Sequence, residues 1–124
     1  MADNFRIPFK NAVIAQGVAK TGAGSAAGDP VVSGGLKGVN LWGTGKGQGI
    51  PAGSAYAMIA LDGVACINVN VTKATKENDP IYITPAGALT TADAGNTLFG
   101  YADEPAATGA AVRIGVRISN AVGA

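Results

Sequence analysis

A glycine-rich stretch, Gly43-Thr44-Gly45-Lys46-Gly47-Gln48-Gly49, invites a chemical reading first, because glycines let backbone amides close on a phosphate. The spacing does not sustain it. A phosphate loop of the GxxxxGK[ST] type needs Ser or Thr after Gly45-Lys46 and a glycine five residues before Gly45; the chain has Gly47 and Asn40. As a dinucleotide fingerprint the run fails at Gln48, which stands where a third glycine is required, and no βαβ unit surrounds it. The residues predict a surface loop, mobile or tightly folded, that ends at Ile50-Pro51.

Nucleophilic catalysis is no better equipped. The chain has no histidine, the commonest base, and its single cysteine, Cys66, falls in a strand candidate with no activator in view. One thiol also excludes an intrachain disulfide and, without histidine, argues against a zinc or other transition-metal site. Asp62, Asp79, Asp103 and Glu104 fall at turns or strand ends, where aspartate serves its own backbone; nothing in their spacing makes an acid/base pair. No enzyme activity, cofactor or metal is expected.

What remains are residues suited to contact. Arg113 and Arg117 share the outward face of one strand and could grip acidic groups on a partner or simply solvate the sheet. Trp42 and Phe9 could anchor an interface or fill a core short of aromatics. Phe5, Ile7 and Phe9 alternate with Arg6 and Pro8, and Pro8 cannot donate to a ladder, so residues 1–11 are expected to form an arm or an edge strand ahead of a β domain over 12–124.

These residues need elements to hold them, and the pattern is that of short strands between turns. Residues 12–15 and Val31-Val32 are apolar runs; between them, residues 20–28 are too small and polar to pack. Gly34-Gly35 turns the chain into residues 36–42. Residues 55–61 and 64–71 flank Asp62-Gly63, a two-residue turn that predicts a hairpin. Ile67, Val69 and Val71 alternate with Asn68 and Asn70, so one face is apolar and the other amide. Asn78-Asp79-Pro80 and Pro85-Ala86-Gly87 bracket a strand at 81–84, another includes Phe99 and Tyr101, and Val112, Ile114, Val116 and Ile118 oppose Arg113, Gly115 and Arg117. No stretch reads as a helix of three turns.

Composition agrees. At 124 residues with 48% hydrophobic and 14% charged, the chain suits one cored domain, and 19 glycines without a triplet period imply many tight turns. The expectation is an all-β fold, a small single-domain sandwich or barrel with short strands and long Gly-rich loops. A net charge of +1 lacks the excess that drives nonspecific binding to nucleic acid or a membrane surface. No apolar run approaches the roughly 20 residues of a membrane helix, and the first ten residues lack the pattern of a signal peptide, so a soluble, unexported chain is expected.

In order along the chain, Gly28-Asp29-Pro30-Val31-Val32, Leu61-Asp62-Gly63-Val64, Asn78-Asp79-Pro80-Ile81-Tyr82, Asn96-Thr97-Leu98-Phe99-Gly100-Tyr101-Ala102 and Val112-Arg113-Ile114 resemble the small head decoration, or cement, proteins of tailed bacteriophages. The resemblance spans about residues 12–118. It implies a structural protein, made in the host cytoplasm, on the outer surface of the expanded head, where it bridges neighbouring subunits of the major capsid protein. It also implies a homo-oligomer, a trimer at local threefold positions. Phe5, Arg6, Ile7, Pro8, Phe9, Trp42, Arg113 and Arg117 are then the candidate contacts with capsid or sister subunit. The competing reading is a β-module that binds a host surface or polysaccharide; a hydrolase using Asp103 or Glu104 has least support.

Overall fold

The computed structural model describes residues 2–16, 25–47 and 49–120. These contain ten strands and no helix: β1 (Phe5–Ile7), β2 (Ala12–Gln16), β3 (Pro30–Ser33), β4 (Leu36–Asn40), β5 (Tyr56–Ala60), β6 (Val64–Val71), β7 (Pro80–Ile83), β8 (Leu89–Thr90), β9 (Thr97–Ala102) and β10 (Gly109–Ile118). The all-β expectation holds. Much of the loop expected at 20–28, and Gln48, fall outside the described residues.

The strands form two sheets. One has the order β2-β5-β4-β3, all antiparallel; the other runs β1-β6-β10-β9-β7-β8, with β8 returning to lie parallel to β6. That return makes a ring of β6, β10, β9, β7 and β8, leaving β1 beside the first residues of β6. Closing the ring pairs most of the strand edge that would otherwise invite pairing with other chains.

Alternation decides which side chains fill the ring. In β6, Ile67, Val69 and Val71 are buried while Asn68 and Asn70 are exposed; in β10, Ile114, Val116 and Ile118 point inward and Arg113 and Arg117 outward. They meet Ile81, Ile83, Leu89 and Phe99 in one apolar cluster, with Phe99 fully buried as its largest member. A smaller cluster of Val31, Ala57 and Ile59 belongs to the four-stranded sheet.

The hairpin expected across Asp62-Gly63 does not form. β5 pairs with β2 and β4, whereas β6 pairs with β10, β1 and β8, so the turn is a corner where the chain leaves one sheet for the other. Both residues have other duties. The Asp62 carboxylate accepts from the backbone N–H of Lys10 (2.6 Å) and Asn11 (3.1 Å) and from the Asn11 side chain (2.7 Å). Gly63 sits at φ +90°, and a Cβ there would meet the Ile7 carbonyl oxygen at 2.8 Å and the Phe9 nitrogen at 3.0 Å. The turn is a seat for residues 7–11, and that use of the same two residue types is invisible to a local hairpin rule.

The Gly34-Gly35 hairpin does form, with Ser33 opposite Leu36. So does the break at Asn78, which takes a left-handed φ of 71° before Asp79-Pro80 while the Asp79 carboxylate accepts from the Lys76 N–H at 2.9 Å.

Candidate functional site

β1 lies on its own chain. Phe5 pairs with Ala65 and Ile7 with Val64 across a bulge, and the Phe5 and Phe9 rings meet with centroids 5.4 Å apart. Phe5 also packs against the ring core, while Ile7 and Pro8 are exposed and Phe9 half-buried.

Arg6 crosses the outer face of the sheet. Its guanidinium contacts Glu104 at 2.6 Å and Asp103 at 3.7 Å, and Arg117 contacts Asp103 at 2.7 Å. The site for this cluster is made by Gly115: a Cβ there would meet the Arg6 guanidinium nitrogen at 3.0 Å, so glycine leaves the space that the guanidinium crosses. The Gly115 N–H donates to Glu104 at 2.9 Å. That bond, with the one from Arg6, holds the Glu104 carboxyl below its ordinary pKa against a smaller opposing effect of burial; the bond to Glu104 likewise raises Arg6. A general acid needs the opposite shift, a carboxyl kept protonated. The arrangement ties β1 to β10 and to the connection after β9.

The candidate contact residues thus divide. Arg6 and Arg117 spend their charge on Glu104 and Asp103. Arg113, also exposed, makes no ion pair among the described residues. Trp42 is half-buried beneath the glycine-rich loop: a Cβ on Gly47 would strike its ring at 2.6 Å. The described part of that loop is tightly folded, with Gly43, Gly45 and Gly47 at left-handed φ and the Gly45 N–H donating to the Tyr56 carbonyl at 2.7 Å.

Asn40 organises the loop from below. It is fully buried; its amide donates to the Ser25 hydroxyl at 2.6 Å and its oxygen accepts from the N–H of Gly43 at 2.8 Å and of Trp42 at 3.3 Å. Sequence reasoning missed it. The available signal was an asparagine at the end of a strand, directly before a glycine run whose amides need acceptors.

Arg113 opens onto a groove of about 570 Å³. Asn68, its register partner on β6, and Asn70 line the same groove, with Asp3, Asn4 and Asp29 toward β1 and β3. The Asn4 amide donates to the carbonyls of Cys66 (3.1 Å) and Gly28 (3.3 Å), leaving its buried oxygen without a partner among the described residues. Among the described residues no cluster of acids and thiol could hold a metal ion.

Fold and face together define a compact β module in which the carboxylates of Asp62, Asp79, Asp103 and Glu104 are engaged in structural bonds. The family model of phage cement proteins matches residues 10–118, and the chain belongs to that family. Its role is accordingly a capsid-associated structural one. The match includes Trp42, Arg113 and Arg117 and begins after Phe9. No curated protein matches the chain.

Proposed function

We propose that the protein decorates the outer surface of a phage head, binding the expanded shell at a composite site between neighbouring subunits of the major capsid protein and bridging them. The observation that carries this reading is the cement-family match over residues 10–118. A closed β ring suits the task, because a rigid body can select one spacing of coat subunits with little ordering cost. A ligand that binds only the expanded state stabilises that state, by about 2.7 kcal/mol per site at a hundredfold excess over its dissociation constant. Repetition over the shell multiplies the effect.

The protein acts as a homo-oligomer, a trimer at local threefold positions. An N-terminal arm shared between copies would exchange the Phe5 to Ala65 pairing and the Arg6 to Glu104 bond for the same contacts on a neighbour. The direct test mixes purified protein with unexpanded and expanded shells and measures occupancy. Selective binding to expanded shells is expected, and equal affinity for both removes the stabilising mechanism. Electron microscopy of native particles then reads position and copy number.

A further inference from the structure

The groove beside Arg113 lies at an interruption of the sheet. Along one edge of β6, β1 covers Val64 and Ala65, Asn4 bonds to both the N–H and the carbonyl of Cys66, and β8 covers Val69 and Asn70. Among the described residues no strand pairs with Ile67 or Asn68 on that edge, and the groove opens there.

Its chemistry is specific. Asn68 and Asn70 are two residues apart on the exposed face of β6, about 7 Å along the strand, which is the repeat of any other extended chain. Each carboxamide can donate to and accept from one peptide group of such a chain. Arg113, directly across the ladder from Asn68, offers a planar fork of donors for a carboxylate. Of the three arginines on this face it is the one whose charge is not already met by Asp103 or Glu104. Asp3 and Asp29 stand on the opposite side, and the Asp29 carboxylate already accepts from the Ala26 N–H, so an incoming acid is steered to the β10 side. Among the described residues no aromatic ring lines the groove, which removes the stacking platform expected of a sugar site.

We infer that the groove binds an extended segment of the coat protein that presents one carboxylate to Arg113 on the β10 side and none toward Asp3 and Asp29, with the Asn68 and Asn70 carboxamides on its peptide groups. The inference rests on the shell-binding function proposed above and assigns the contact within it.

The test uses the intact protein in two stages. Occupancy on purified expanded shells is measured for the unmodified protein, for Arg113→Glu and for the pair Asn68→Ser with Asn70→Ser; these side chains are exposed, and thermal unfolding checks that each variant is folded. Arg113→Lys serves as the conservative companion. Affinity is expected to fall roughly tenfold or more in Arg113→Glu, with partial retention in Arg113→Lys. No binding by unmodified protein defeats the shell-binding reading and this inference with it; unimpaired binding by folded variants defeats the groove alone. Overlapping synthetic peptides of the same virion's coat protein are then titrated while the side-chain amide signals of Asn68 and Asn70 are followed by NMR. Shifts produced by peptides that carry a carboxylate, and lost in Arg113→Glu, support the assignment. Shifts produced by neutral oligosaccharides but by none of the peptides overturn it.

Discussion

Replacing Gly100 with alanine is expected to force β9 away from β10. Gly100 lies mid-sheet, opposite Ile118 on one side and Ile81 on the other. A Cβ built on it falls onto the Arg117 carbonyl oxygen and reaches the Ile118 Cα at 3.3 Å. The obstacle is backbone, so no rotamer change relieves it, and the strands must separate by about 1.5 Å to restore an ordinary carbon to oxygen contact. Only three residue pairs join β9 to β10: Val116 with Ala102, Arg117 with Tyr101 and Ile118 with Gly100. Losing about two of their hydrogen bonds costs ~1–3 kcal/mol. Overpacking beside the buried Phe99 and Ile118 adds ~1–3 kcal/mol. The sum, about 4 kcal/mol, corresponds to a fall in Tm of about 15 °C for a chain of this size. Urea unfolding at fixed protein concentration, followed by circular dichroism, measures it. Gly35→Ala is the control, since nothing lies within 4 Å of its Cβ position and its φ is not left-handed; stability should be unchanged or raised by up to about 1 kcal/mol. If Gly100→Ala unfolds within about 1 kcal/mol of Gly35→Ala, the close approach of β9 to β10 is not what selects glycine there.

Acid should loosen the N-terminal segment. Burial raises the Asp62 carboxyl, but the bonds from Lys10 and Asn11 outweigh it and hold the group below its ordinary 3.8; Glu104 is held below its ordinary 4.5 by Gly115 and Arg6. The unfolded chain therefore binds these protons first, and stability present above about pH 4.5 declines as pH falls through the lowered values. Urea midpoints from neutral to acid pH should show the decline, and Glu104→Gln should flatten its upper part; an unchanged slope would remove Glu104 from the linkage. Asn40→Ala strands the Ser25 hydroxyl and the Gly43 N–H, for a loss of about 2 kcal/mol. Hydrogen exchange at the amides of Trp42 and Gly43 should accelerate more than at β10; uniform change across the chain would contradict a local role.

The sequence by itself determined the fold class, most strand limits and the side each strand turns inward. Alternation in β6 and β10 is a local property: a period of two places Ile67, Val69 and Val71 on one face whatever lies beside them. Turn chemistry at Gly34-Gly35 and Asn78-Asp79-Pro80 is local too. Among the candidate contacts, the pattern placed Arg113 and Arg117 outward correctly but could not say that Arg117 is neutralised and Arg113 is not, because Asp103 and Glu104 reach this face only when β9 and β10 pair. Nor could it tell a hairpin from a corner at Asp62-Gly63. An apolar strand signals that it will be buried, not against which neighbour, and that choice depends on long-range closure of the ring and on Lys10 and Asn11 arriving at the Asp62 carboxylate. The same closure decided Gly115, which interrupts the outward row of arginines because Arg6 crosses there. It also decided the gap at Ile67 and Asn68, since β1 and β8 share one edge of β6 without meeting.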